Sequence, residues 1–138
     1  MPGEVPEEIT FAAGLVGCGD WQRFRLVQTE DAAPISLLQC VDEPEIGFYV
    51  VDPYLIAEEY ELEMPPAAAQ AIGLRDWKEA LVFCTLVVRQ EPQSVTANLL
   101  GPLVVNRANG LGVQVVLSGS GYSSRHLVPC GSSEAGQC

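Results

Sequence analysis

Residues 46–66 read Ile46-Gly-Phe-Tyr-Val-Val-Asp52-Pro-Tyr54-Leu-Ile-Ala-Glu58-Glu59-Tyr60-Glu61-Leu62-Glu63-Met64-Pro-Pro66. Ile46–Val51 is rich in β-branched and aromatic residues, which predicts a strand. Pro53 donates nothing to a ladder, so that strand ends or meets an edge there. Beyond the break, Tyr60, Leu62 and Met64 alternate with Glu61 and Glu63. This period of two predicts a second, half-buried strand with its carboxylates outward.

Working outward, the same grammar of short apolar runs and turn residues continues. Glu8–Phe11 and Arg23–Val27 alternate and predict strands, the second with Phe24 and Leu26 inward. Ile35–Val41 fits either a short strand or a helical turn. Leu81–Arg89 has the length and the apolar content of a central strand buried on both faces. Val95–Leu99 and Leu103–Val105 are short strands around Gly101-Pro102. Asn109-Gly110 predicts a hairpin turn, since both residues accept positive φ, joining Leu103–Asn106 to Leu111–Leu117. Pro65–Ile72 predicts one short helix, stopped by Gly73. Asp76 caps a further helical turn. Seven to nine short strands with one or two short helices predict an all-β, mainly antiparallel protein, a small barrel or sandwich. One domain is expected over residues 1–128, followed by a disordered tail at 129–138 that is poor in apolar residues.

The chain has 138 residues and a net charge of −11. All but four of its 18 acids (Asp76, Glu79, Glu91 and Glu134) fall in residues 1–66, where Arg23 and Arg25 are the only bases. Such a field repels nucleic-acid backbones and anionic membranes, and it steers basic partners inward. The N-terminus lacks the basic-then-apolar pattern of a secretion signal, and the apolar run Ala80–Val88 is too short to span a bilayer. A cytoplasmic location is expected. Five cysteines, an odd number with no metal-ligand spacing, read as free thiols, with Cys84 in the core.

Chemistry-bearing patterns are sparse. His126 is the sole histidine, and no nucleophile elbow or carboxylate partner accompanies it. Gly17-Cys18-Gly19 and Gly119-Ser120-Gly121 lack the lysine and helix of a phosphate loop. No catalytic residue, cofactor or metal site is expected. Aromatic residues flank the acids, and tyrosine supplies both apolar area and a polar tip at interfaces. The expected partner surface comprises Asp52, Tyr54, Glu58, Glu59, Glu61 and Glu63, with Tyr60 turned into the core. Two other classes remain open: an acidic barrel holding a small ligand in its interior, and a hydrolase built on converging carboxylates.

Two stretches resemble the FliW family of flagellar assembly factors. One is Phe48-Tyr-Val-Val-Asp-Pro-Tyr54 with Tyr60-Glu61-Leu62. The other runs Val95-Thr-Ala-Asn98-Leu-Leu-Gly-Pro-Leu-Val-Val-Asn106, then Gly112-Val-Gln114-Val-Val-Leu117, Tyr122 and Arg125-His126. Gly14-Leu-Val-Gly-Cys18 replaces a stretch that in the family usually reads like Gly-Ile-Pro-Gly-Phe. The resemblance, over roughly residues 8–128, implies a small all-β protein without catalytic activity. It implies two partners, flagellin and the RNA-binding translational repressor CsrA, without direct nucleic-acid binding. In the switch this resemblance implies, flagellin occupies the factor until it is exported, and the freed factor then antagonises CsrA from beside its RNA site. Asn98, Asn106 and Gln114 match the family motif and carry either a contact or a turn.

Overall fold

β-Strands form a single sheet that closes on itself. The computed structural model describes residues 8–11, 21–28, 34–57, 59–90 and 93–128, with no side-chain description at Gln90 and Gln93. Among these the strands are β1 (Glu8–Phe11), β2 (Arg23–Gln28), β3 (Ser36–Cys40), β4 (Gly47–Val51), β5 (Ala80–Gln90), β6 (Gln93–Ala97), β7 (Leu103–Asn106), β8 (Leu111–Gln114) and β9 (His126–Leu127). Their order is β4-β3-β2-β1-β8-β7-β5, and the β4–β5 pairing closes seven of them into a barrel. Closure removes the free edges that an open sheet exposes. β1 and β8 run parallel; every other pair is antiparallel.

β5 carries most of the connectivity. It pairs with β7 through Ala80–Phe83, with β4 through Cys84–Leu86 and with β6 through Leu86–Gln90. β9 adds to the far side of β6. Val87 and Val88, past the last β4 pair, are exposed, so β5 is not buried on both faces along its whole length.

The core has two layers. Ile9, Phe11, Phe24, Leu38, Cys40, Val50, Leu103 and Val105 fill the barrel, each at most 1% exposed. Phe11 and Phe24 meet edge to face at 5.8 Å, and a Cβ on Gly112 would sit only 2.6 Å from the Phe11 ring. An interior packed this tightly opposes a ligand held inside the barrel. The second layer lies on the outer face of the same wall: Val51, Cys84, Leu86, Val95, Ala97, Leu99 and Val104. Neighbours therefore point to opposite cores, Val50 inward and Val51 outward, Leu103 and Val105 inward and Val104 outward. Burial on both faces accounts for the continuous apolar run of β7.

Residues 52–79 cross over that outer face. Tyr60 and Ile72 are buried in the outer layer, and Leu62 and Met64 pack against it. Each fully buried large side chain there contributes about 1.5–3 kcal/mol. The crossing contains helix α1 (Pro66–Ala71), ended by Gly73 at φ +66°, and a 3-10 turn at Trp77–Glu79 capped by Asp76.

Two local expectations change, and the Asn109-Gly110 hairpin forms as expected. Tyr60–Met64 keeps its alternating burial but forms no strand, because β4 already has β3 and β5 on its two edges. The turn before β8 spans residues 107–110, and only Gly110 takes positive φ. The Asn109 side chain instead holds the Ile72 carbonyl at 3.0 Å and the Leu111 N–H at 2.9 Å. β8 stops at Gln114; Val115 and Leu117 continue into the outer core by bonding the carbonyls of Pro102 and Leu100. Ile35–Val41 resolves as strand β3. Residues 14–18 and the tail 129–138 lie outside the described residues, with Cys18, Cys130 and Cys138; Cys40 and Cys84 are buried free thiols.

Candidate partner-binding surface

The Asp52-Pro53-Tyr54 corner redirects the chain out of the barrel wall. The Asp52 carboxylate accepts the Tyr54 N–H at 2.9 Å and caps a 3-10 turn over Pro53–Leu55. Pro53 sits at the first helical position, where its missing N–H costs nothing. Asp52 and Tyr54 remain exposed.

From this corner a row of three tyrosines runs along the outer layer. Tyr54 meets Tyr60 edge to face at 5.6 Å, and Tyr60 meets Tyr122 at 4.7 Å. The Tyr60 hydroxyl donates to the Leu99 carbonyl at 2.6 Å. The Tyr122 hydroxyl accepts the Glu61 N–H at 2.7 Å. Burial pushes the Tyr60 hydroxyl well above the ordinary phenol range, and it raises Tyr54 as well, with Asp52 adding to the effect. The Tyr54 and Tyr60 side chains are therefore neutral hydrogen-bonding groups over the physiological range.

The row ends at a groove of about 800 Å³. Glu61, Leu62 and Glu63 form one wall, and Val116–Ser120 with Tyr122 form the other. Glu61 and Glu63 are exposed, and no lysine or arginine lines the groove. Val116 is 51% exposed between buried Val115 and Leu117. This second wall was missed in the sequence beyond the Tyr122 loop; the signal was the apolar–apolar–apolar run Val115–Leu117, one residue of which must face outward if alternation continues. Apolar floor, phenol and carboxylate together suit a partner carrying apolar and cationic side chains.

Of the other sequence-predicted acids, Glu59 is exposed beside Tyr60, and Glu58 lies outside the described residues. No group of three His, Cys, Asp or Glu side chains among the described residues is placed to hold a metal ion. No described helix is long and apolar enough to cross a membrane.

A sequence model of the FliW protein family matches residues 3–128. The chain belongs to the FliW family. It is 35% identical over 126 residues to the flagellar assembly factor FliW of Natranaerobius thermophilus, covering 89% of this chain and 83% of that one. It is 29% identical over 125 residues to its namesake from Clostridium botulinum (strain Alaska E43 / Type E3), covering 91% and 89%. A crystal structure of the flagellar assembly factor FliW superposes with a TM-score of 0.79 at 27% identity, covering 90% of this chain and 88% of that chain.

The three polar residues of the FliW-like motif bond to the protein's own backbone. Asn98 Oδ1 accepts the N–H groups of Leu100 and Gly101 at 3.1 and 2.9 Å. Asn106, 1% exposed, donates Nδ2 to Ile72 O at 2.8 Å and accepts the Ala108 N–H at 3.0 Å. Gln114 Nε2 donates to Gly101 O at 2.8 Å. They fix the turn between β6 and β7 and tie α1 to the barrel. His126 lies on β9, opposite Ala97.

Proposed function

We propose that this FliW-family protein is a cytoplasmic flagellar assembly factor that binds flagellin and antagonises the translational repressor CsrA, without catalytic activity of its own. In this reading flagellin occupies the factor while it accumulates. Export of flagellin frees the factor, which then restrains CsrA and allows flagellin translation to resume. The observation that carries the reading is the family match over residues 3–128. The exposed acids Asp52, Glu59, Glu61 and Glu63 support it, since an RNA-binding repressor is basic around its RNA site and is steered to such a surface.

The partner surface we assign comprises Asp52, Tyr54, Glu58, Glu59, Glu61 and Glu63. Bound beside an RNA site, these carboxylates raise the electrostatic cost of RNA binding. The experiment is a gel shift of CsrA on flagellin leader RNA. Adding this protein is expected to release the RNA, and adding flagellin is expected to restore the complex. Failure of the protein to bind either CsrA or flagellin would overturn the reading.

A further inference from the structure

The groove beside the tyrosine row has two walls of chain, each bonded in part (Glu61 N–H to the Tyr122 hydroxyl, Leu117 N–H to Leu100 O) and each also carrying backbone groups without a described partner. The backbone N–H and C=O groups of Leu62, Glu63 and Met64 bond no described residue, and neither do those of Val116, Ser118 and Gly119. Leu62 and Met64 turn inward while Glu61 and Glu63 turn outward, so the first wall already has a strand's side-chain alternation without a strand's partner. Extended chain in that state is a template for pairing with another segment. The three residues Leu62, Glu63 and Met64 of such a template offer about 10 Å of ladder.

Charge selects the occupant. Glu61 and Glu63 flank the opening, no cation lines it, and Leu62, Val116 and Leu117 supply apolar surface. We infer that the groove between residues 61–64 and 116–120 is a strand-addition site for an extended partner segment that alternates basic and apolar side chains. This rests on the acidic crossing being a partner surface, as proposed above. Backbone pairing supplies affinity, and the alternation of acid and apolar positions supplies register.

The test uses the ¹⁵N-labelled full chain and the peptide Ac-Lys-Val-Arg-Val-Lys-NH2, with Ac-Glu-Val-Glu-Val-Glu-NH2 and the proline-broken Ac-Lys-Val-Pro-Val-Lys-NH2 as comparators. The basic peptide is expected to shift the amides of residues 61–64 and 116–119 and to slow exchange at Leu62, Glu63 and Met64 by about tenfold or more. The two comparators are expected to do neither, and Val116→Arg, a change at an exposed position, is expected to abolish the effect while leaving the rest of the spectrum unchanged. Shifts scattered over the acidic surface without slowed exchange, or an unaffected V116R, overturn the inference. Dependence of the same amides on protein concentration alone also overturns it, by showing a second copy of the chain in the groove. Binding of intact flagellin and CsrA is measured on the same sample. Both proteins bound with a silent groove sinks strand addition only; an occupied groove with neither protein bound sinks the functional reading only.

Discussion

The Tyr60 hydroxyl donates to the Leu99 carbonyl at 2.6 Å across 39 residues of sequence. It anchors the crossing segment to the turn that follows β6, within a buried layer. Both partners are nearly inaccessible, at 4% and 1% exposure, so water does not replace the bond if it is lost. Tyr60→Phe is expected to cost about 1–3 kcal/mol, the penalty for a buried acceptor left unpaired. Urea denaturation at neutral pH measures it; a change below about 0.5 kcal/mol would show that the segment is held by packing alone.

Alkaline stability follows from the same layer. Burial pushes the Cys84 thiol up to about 12 and the Tyr60 hydroxyl further, from ordinary values of 9.0 and 10.0. The folded protein keeps these protons at pH values where the unfolded chain releases them. Their contribution is therefore complete below pH 9 and is lost as pH rises toward 12. Cys84→Ala is expected to flatten the part of the decline that begins near pH 9, and Tyr60→Phe the part that begins near pH 10. Denaturation midpoints between pH 7 and 11 give the slopes.

Asn106 is the buried tie between α1 and the barrel, through Ile72 O and the Ala108 N–H. Asn106→Ala leaves the Ala108 N–H without this acceptor and Ile72 O with Asn109 Nδ2 as its remaining side-chain donor, and is expected to destabilise by about 1–3 kcal/mol. Asn98→Ala, in a part-buried turn, is expected to cost about 1 kcal/mol. If either variant, still folded, loses partner binding outright, the motif makes direct contacts as well.

Gly112 faces Phe11 with no space for a methyl group. Gly112→Ala is expected to cost about 1–3 kcal/mol through overpacking. Adding Phe11→Leu should recover part of that loss, because it removes the atoms in the way. A double-mutant cycle with no coupling between the two positions would contradict the packing described for the barrel interior.

The acidic crossing predicts kinetics more than affinity. Glu61→Lys with Glu63→Lys, and separately Glu58→Lys with Glu59→Lys, is expected to slow association with CsrA at least about threefold at low salt. The difference should shrink above about 0.5 M salt, where the Debye length is only a few ångströms. Stopped-flow association rates that match the wild type at every ionic strength would move the interface elsewhere.

Sequence alone was enough for the strands whose two faces meet unlike surroundings or whose apolar runs end at turn residues. β1, β2, β4 and β7 fall where alternation or β-branched content places them, and Gly73 and Asp76 end and begin their elements as their chemistry requires. The short β9 was invisible, since two residues carry no periodicity. The segment Tyr60–Met64 misled for a physical reason: alternation reports which side chains are buried, not whether the backbone has a neighbour to pair with. Asn109-Gly110 did mark the β7–β8 hairpin, with Gly110 at positive φ; that the Asn109 side chain reaches the Ile72 carbonyl is a long-range contact the dipeptide does not record.

By itself the sequence determined an acidic, all-β chain with its carboxylates concentrated around one proline-broken strand, and it carried the FliW motif. These are local properties of composition, period and residue order. The tertiary structure alone decided that the barrel closes between β4 and β5, and that the crossing covers a second core. It also brought Glu61 and Glu63 against Val116–Tyr122, more than 50 residues away in the chain, to make the groove. Closure and long-range contact depend on which edges and faces are still free once the rest of the chain has folded, and no local pattern records that.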